Sequence, residues 1–231
     1  MANTVRNKPR AGRTTTIEEP NPLDKIQFTY EKNKKQINAV VTVILVLIVG
    51  FFAYRTLYQE PRNRKASFAI SYAQQYFQQD SLNRALNGDG QHDGFLRIIK
   101  KYSGTSTANL ASYYAGICFL QMHDAQKAIK YLKDFDAHGT KVEYAAFGAL
   151  GDAYMETNNV KEGINYYKKA SANEDDNLLT PLYLYRAAVA YELSNQPKDA
   201  IESYKKIRDK YPQSMQAREV DKNLARLGVL E

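Results

Sequence analysis

Disulfide bonds and multiple membrane spans are the first features that the sequence lacks. Its 231 residues include a single cysteine, Cys118, so no intramolecular disulfide framework can form. The apolar surroundings of Cys118, AGICFL, predict a small buried hydrophobic residue, because a reactive thiol needs a cationic neighbour. The mean hydropathy is −0.55 and only one long apolar run is present, which excludes a polytopic membrane protein.

Excess charge is missing from most of the chain. The formal net charge is +7. Residues 1–65 contain 12 basic and 5 acidic residues and hold the whole excess, because residues 66–231 contain 20 of each. A neutral C-terminal part gives little electrostatic support for nucleic-acid binding. The basic N-terminal part is suited to anionic lipid headgroups.

The single apolar run, residues 37–54 (INAVVTVILVLIVGFFAY), predicts a transmembrane helix. At about 1.5 Å of rise per residue it spans roughly 27 Å, which is enough to cross the hydrocarbon core of a bilayer. It contains no charge and is flanked by Lys34, Lys35 and Arg55. The alternative is the central core helix of a soluble domain. A soluble amphipathic helix, however, would have a polar face.

The residues on either side of this run predict a membrane topology. We expect a disordered basic tail over residues 1–24, a juxtamembrane segment over 25–36 and a basic linker over 55–65. Basic residues within about twenty positions of the span are balanced between its two sides. The further basic residues of the tail favour a cytoplasmic N-terminus and an exported C-terminal domain. The charged leader is too long for a signal peptide, so the anchor is expected to be retained.

A repeated spacing of small and aromatic residues follows in residues 104–212. Gly116, Gly151 and Ala188 are spaced by 35 and 37 residues. Each is followed by an aromatic residue after three positions, a small residue after twelve and a bulky residue after sixteen. These residues are Phe119, Tyr154 and Tyr191; Ala128, Gly163 and Ala200; and Leu132, Tyr167 and Tyr204, with Pro212 closing the last unit. Small residues at these positions would let paired helices approach closely.

This pattern resembles the tetratricopeptide repeat (TPR), a hairpin of two helices. The resemblance implies an all-α fold, in which a single transmembrane helix precedes an α-solenoid of about 3–4 helical hairpins with a C-terminal capping helix. Residues 66–103 are then expected to form a degenerate first repeat with an inserted loop at 80–94. Residues 104–212 form three repeats, and residues 213–231 contain the capping helix.

No catalytic, metal-binding or cofactor-binding motif stands out. The glycine-rich loop could be aligned with a calcium loop from Asp89, but its twelfth position is Lys100 instead of the required bidentate Glu. It follows no predicted strand and lacks the Gly-Lys-Ser/Thr of a phosphate loop. A turn ending in a helix cap at Asp93 is the preferred interpretation. The histidines have no partners at metal-ligand spacing. We therefore predict no enzyme, no cofactor and no metal.

The groove positions of the TPR family, transferred to this register, predict a partner-binding surface. It consists of Tyr113, Ile117, Leu120, Asp152, Met155, Tyr185, Val189 and Glu192. The resemblance implies that this surface suits a peptide or a partner helix of mixed apolar character. The Lys and Asn that bind C-terminal carboxylates in chaperone-binding repeats are absent from the corresponding positions. Alternatively, some of these side chains pack against the capping helix.

An N-terminal span followed by TPRs also resembles the YfgM-type ancillary subunits of the SecYEG translocon, in their Bacteroidota form. This resemblance implies a bacterial inner-membrane protein with a cytoplasmic N-terminus and a periplasmic domain. Its partners would be a translocon-type membrane complex and protein or peptide ligands, and its function would be to assist protein translocation. Two alternatives remain open: a structural scaffold of another envelope complex, and a cytosol-facing import receptor.

Overall fold

The computed structural model describes the chain from residue 22 to residue 229, with side chains from residue 30 onwards. The chain divides into two compact units, Met1–Arg55 and Thr56–Glu231. The tail predicted to be disordered lies outside the described residues up to residue 21. Residues 22–24, which were included in that prediction, already belong to the first helix.

Helix α1, Pro22–Ala53, is the helix of the first unit. Its backbone is interrupted at Asn33, where φ is −114° and ψ is 15°. The apolar side chains of α1 from Val40 onwards are exposed, as at Leu47, which is 67% exposed. The hydroxyl of Thr42 donates to the carbonyl of Asn38 at 2.8 Å and is satisfied within the helix. In the described part of the chain, this is the one helical region long and apolar enough to cross a membrane. The predicted flanking cations are all exposed: Lys34, Lys35 and Arg55.

The residues predicted as a basic linker are helical. A π-helical segment, Tyr54–Gln59, is followed by helix α2, Glu60–Gln78. Pro61 does not break α2, because proline is tolerated in the first turn of a helix. The basic linker is therefore a helical continuation between α1 and α2 along the chain.

Nine helices follow α2 in the described part of the second unit. In chain order they are α3 (Leu82–Asn87), α4 (Phe95–Lys101), α5 (Ser106–Gln121), α6 (Ala125–Asp134), α7 (Glu143–Glu156), α8 (Val160–Ala170), α9 (Leu179–Leu193), α10 (Pro197–Lys210) and α11 (Ala217–Arg226). Helix α5 pairs with α6, α7 with α8, and α9 with α10. The first helices α2, α5, α7 and α9 contact one another in succession and form what we call the inner layer. The second helices α3, α4, α6, α8 and α10 form the outer layer. The predicted all-α solenoid is confirmed.

Small residues lie where the paired helices cross. A β-carbon added to Gly116 of α5 would come within 2.5 Å of Leu132 Cγ in α6. A β-carbon added to Gly151 of α7 would come equally close to the ring of Tyr167 in α8. In the next hairpin, Ala188 is fully buried. These positions therefore permit the close helix approach that the repeated spacing predicted.

The hairpins of the second unit share one type of turn. The residue that follows the C-cap of the first helix adopts a left-handed conformation in four places, with φ between 56° and 60°: Asp80, His123, Asn158 and Asn195. In each turn, the amide of the following residue donates to the carbonyl of an aromatic residue five positions earlier. These aromatic residues are Tyr76, Phe119, Tyr154 and Tyr191. This pattern of hydrogen bonds ends each first helix in the same way.

The first hairpin differs from the prediction. Ala73 and Ala85 are fully buried and twelve positions apart, which is the spacing of the small residues in the other hairpins. Helix α3 therefore begins the second helix of this hairpin, and the predicted inserted loop at 80–94 is wrong in its position. The inserted residues are 88–94, which interrupt the second helix. Gly88 ends α3 with φ 85°, and α4 then resumes the outer layer by packing on α5.

Asp89 organises the inserted segment. Its carboxylate accepts hydrogen bonds from the hydroxyl of Tyr76 at 2.7 Å and from the amides of Gln91 and His92 at 2.9 and 2.7 Å. These bonds, that of Tyr76 foremost, hold the pKa of the Asp89 carboxyl well below its usual range. The carboxylate therefore joins the inserted segment to the inner layer.

Asp93 lies in the same segment but does not cap α4. Its carboxylate lies 2.8 Å from Lys101 Nζ and 3.1 Å from Arg97 Nε, both within the helix. The N-cap position belongs to Gly94, whose backbone is extended. The helix-cap prediction for Asp93 is wrong, because its carboxylate binds these two cations instead of the backbone amides. Within the described residues, no group of His, Cys, Asp and Glu is arranged to hold a metal ion.

Candidate partner-binding surface

The eight predicted groove residues all lie in the inner layer, on α5, α7 and α9. The ion pair between Asp152 of α7 and Arg186 of α9 joins two neighbouring first helices of this layer. Val189 occupies in α9 the register position that Asp152 occupies in α7. The predicted residues are therefore brought onto one layer, but they do not have the same environment.

The three residues from α5 are half-buried. Tyr113, Ile117 and Leu120 pack against a cluster that contains Leu132 and Leu150. Burial raises the pKa of the Tyr113 phenol. These side chains hold the first two regular hairpins together, and they offer only part of their area to a partner.

Asp152 lies at a junction between three helices. Its carboxylate accepts a hydrogen bond from the hydroxyl of Tyr167 on α8 at 2.7 Å and pairs with the guanidinium of Arg186 on α9. The guanidinium also lies 5.8 Å from the ring centre of Tyr183. Burial, followed by the charge of Asp152, raises the pKa of Tyr167, and burial raises the pKa of Tyr183 to about 12. The Asp152 carboxylate, which was predicted to lie in the groove, is thus already bound by Tyr167 and Arg186 of the same chain.

Two residues of α9 pack against the final helix α11. The carboxylate of Glu192 lies 2.6 Å from Arg226 Nη1 and accepts a hydrogen bond from the hydroxyl of Tyr204 at 2.8 Å. The side-chain amide of Asn223 donates to the hydroxyl of Tyr185 at 3.3 Å. Tyr185 and Glu192 therefore pack against the capping helix α11, which is the alternative that the sequence left open.

Glu192 is expected to stabilise the docking of α11 in a pH-dependent way. Its hydrogen bonds to Arg226 and then Tyr204 lower the pKa of its carboxyl in the folded chain. The stabilisation is therefore present above the unfolded pKa of about 4.3 and is lost as the pH falls through the folded value. Glu192→Gln should lower the free energy of unfolding at pH 7 by about 1–2 kcal/mol. It should also flatten the dependence of that free energy on pH in the acid range.

Urea unfolding of the chain in mild detergent, followed by circular dichroism, measures both effects. Glu202→Gln, at an exposed position of α10, is the matched control and should change neither quantity. Equal losses of stability in the two variants would contradict a specific role for Glu192.

An exposed apolar pair remains on the inner layer. Val189 is 38% exposed and Leu193, one turn later on α9, is 68% exposed. Met155 of α7 is half-buried, because its sulfur covers Gly163. Of the residues predicted for the groove, Val189 is the one most free to contact a partner, and Leu193 was missed.

Sequence reasoning also missed Arg186 and Arg226, which neutralise the two groove carboxylates. A signal for both was available. Asp152 precedes Arg186 by 34 residues, and Glu192 precedes Arg226 by 34 residues. Because 34 residues is the length of one TPR, opposite charges at this separation lie on neighbouring first helices.

Comparisons with known proteins agree with this geometry. Residues 183–214, which cover most of α9 and all of α10, match the tetratricopeptide repeat family model. No curated protein matches the sequence. The fold is similar to crystal structures of nearly identical TPR-like repeats from a protein named as a putative kinesin light chain of Podosopora anserina. One, a form with a single substitution, has a TM-score of 0.55 and 16% identity, over 73% of this chain and 86% of that chain. The other has a TM-score of 0.55 and 15% identity, over 73% and 87%.

These similarities lie below 25% identity and therefore bear on the fold alone. The second unit is a TPR-like solenoid suited to protein–protein interaction, with a tetratricopeptide repeat at residues 183–214.

Proposed function

We propose that this protein is a single-pass membrane protein whose TPR-like unit binds a protein partner through the inner layer, as an ancillary subunit of the protein-translocation machinery. The observation that carries this proposal is the exposed pair Val189 and Leu193. The two carboxylates of the same layer, Asp152 and Glu192, are already paired with arginines of this chain. The chain also contains a helix that is long and apolar enough to cross a membrane.

The inner layer favours a partner helix or peptide with both apolar and polar groups. Val189 and Leu193 are four residues apart on α9 and present adjacent side chains on one face. Arg226, 58% exposed at its side chain, pairs with Glu192 on the same helix as these two residues and can also bind a carboxylate of the partner. An amphipathic helix could place one apolar residue on the pair and one acidic residue near Arg226.

The membrane part of the proposal is supported by the exposed apolar face of α1 and by the exposed cations at its two ends. We place the N-terminus in the cytoplasm and the TPR-like unit in the periplasm of a bacterial inner membrane. The charges of the N-terminal tail and the resemblance to YfgM-type subunits support this orientation. An exported inner layer would then meet translocon subunits or chains that leave the translocon.

Site-specific photocrosslinking in living cells tests the partner. Benzoylphenylalanine is placed at Val189 and at Leu193, with Gln126 on the exposed side of α6 as the matched control. We expect translocon subunits or exported chains to be captured from both inner-layer positions and not from residue 126. Capture of outer-membrane assembly proteins alone would reject the translocation role. Equal capture from all three positions would reject the inner layer as the binding surface.

Protease treatment of spheroplasts tests the orientation independently. The TPR-like unit should be digested from outside, whereas a tag on the N-terminus should be protected. The reverse pattern would show that the unit faces the cytosol.

A further inference from the structure

The second unit contains 23 basic and 21 acidic residues, and this near balance conceals an uneven distribution of charge between its two layers. The five outer-layer helices contain fifteen Lys and Arg and five Asp and Glu. Five of these cations pair with carboxylates of the adjoining loops, namely Arg97, Lys101, Lys127, Lys206 and Lys210. The four inner-layer helices contain four basic and five acidic residues. The sum of the charges over residues 66–231 therefore does not show where on the solenoid the basic residues lie.

The basic residues of the outer layer recur in register. Lys133, Lys168 and Lys205 each lie five positions after the small crossing residue of their helix, on α6, α8 and α10. All three are exposed. Lys161 and Lys198 each lie two positions before the crossing residue, and they are also exposed. The solenoid therefore presents rows of ammonium groups that run from one hairpin to the next.

Helix stability does not account for all of these lysines. Lys133 and Lys168 lie in the last turns of their helices, where the helix dipole favours a cation. Lys161 and Lys198 lie in the first turns of α8 and α10, where the dipole disfavours one. A cation in these two places points to a use outside the helix itself.

Aromatic rings accompany the lysines of this layer. The ammonium group of Lys130 lies 5.4 Å from the ring centre of Tyr131, and that of Lys169 lies 4.8 Å from the ring centre of Tyr166. Both tyrosines are half-buried. Tyrosine and lysine side by side are typical of the boundary between a membrane and water.

We propose that the outer layer docks on the anionic lipid headgroups of the membrane to which the chain is anchored. The inference rests on the proposed anchoring, because the second unit begins within a few residues of the apolar helix and cannot diffuse away from the bilayer. Lysines spread over three hairpins suit an extended surface of diffuse negative charge better than a single bound peptide. Each lysine near such a surface contributes a factor of about five to binding.

This docking would leave the inner layer directed away from the bilayer. The exposed pair Val189 and Leu193 would then be open to a protein partner while the outer layer is held by lipid. The two layers would have separate ligands, with the fold keeping them apart.

The test uses the full chain in nanodiscs of phosphatidylcholine alone or of phosphatidylcholine and phosphatidylglycerol in equal amounts. A fluorophore is attached at Asn165→Cys, an exposed position of α8, and a small fraction of lipid carries a quencher on its headgroup. Gln121→Cys, exposed on α5 of the inner layer, is the control position. The natural Cys118 does not compete for the label, because burial raises the pKa of its thiol to about 12.

We expect quenching at residue 165 in the phosphatidylglycerol discs and little quenching at residue 121. Salt at about 0.5 M should remove the difference, because it shortens the range of the attraction. The variant K133Q/K168Q/K205Q should lower the ratio of docked to undocked chain by about tenfold or more. Its circular dichroism should equal that of the unaltered chain, since all three lysines are exposed.

Each other outcome has a distinct meaning. A chain that does not enter the discs overturns the anchoring in the proposed function. A chain that enters but shows no effect of lipid charge, salt or the lysines overturns the docking alone. Binding of polyglutamate at these lysines, without quenching at residue 165 in the phosphatidylglycerol discs, assigns the outer layer to an acidic protein and overturns the lipid proposal.

Discussion

Replacing Tyr204 with alanine is expected to lower the free energy of unfolding of the TPR-like unit by about 3–5 kcal/mol. Tyr204 is the largest of the fully buried side chains and lies in the core cluster between α9, α10 and α11. Its ring meets that of Tyr185 edge to face at 5.6 Å, and its hydroxyl donates to Glu192 at 2.8 Å. Alanine would leave a cavity. It would also remove the hydrogen bond that the Tyr204 hydroxyl donates to the half-buried carboxylate of Glu192.

Tyr204→Phe separates these two contributions. It keeps the ring and loses only the hydrogen bond to Glu192, so we expect a cost of about 1 kcal/mol. Met215→Ala, at a side chain that is 76% exposed, should be close to neutral. Urea unfolding in detergent measures all three variants. If Tyr204→Phe destabilised the chain as much as Tyr204→Ala, packing could not be the main contribution of this residue.

The three regular hairpins could be predicted from sequence because the requirement that makes them is local. Where two helices cross closely, one residue must be small and its partner must fill the remaining space, as with Gly151 and Tyr167. This requirement recurs once per repeat and leaves a periodic pattern.

The first hairpin could not be predicted as well, although part of its signal was present. Ala73, Asp80 and Ala85 have the spacing of a regular hairpin, but α3 is only six residues long. So short a helix does not show a helical period, and the glycines after it suggested a loop between two helices. The hydrogen bonds of Asp89 that stabilise the inserted segment depend on contacts distant in sequence.

The surface was predicted only as a set of register positions. Register places a residue on a layer, but it does not show whether a neighbouring helix supplies a partner for it. Arg186 and Arg226 do so for Asp152 and Glu192, whereas Leu193 stays largely exposed. The predicted transmembrane helix is a separate case. Its length and its lack of a polar face predict a membrane span. Its orientation depends on the basic residues near its two ends, and their numbers are equal.

Gly148→Ala is expected to destabilise the unit by about 2–3 kcal/mol, against the usual trend for helices. Glycine to alanine in a helix interior normally gains about 1 kcal/mol. Here the added β-carbon would overlap the end of the Tyr183 ring, across the contact between α7 and α9. Tyr183 is 6% exposed and cannot move aside, so one hairpin must shift relative to the next.

A double-mutant cycle with Tyr183→Leu tests this explanation. Leucine lacks the ring atoms that the new β-carbon would meet, so the cost of Gly148→Ala should fall by about 1 kcal/mol or more in that background. Gly163→Ala is the matched control, because the atom that it would meet is the sulfur of Met155, at the flexible end of a side chain. We expect that variant to be nearly neutral by urea unfolding. Additive costs of Gly148→Ala and Tyr183→Leu would mean that the two side chains do not determine how closely α7 and α9 approach.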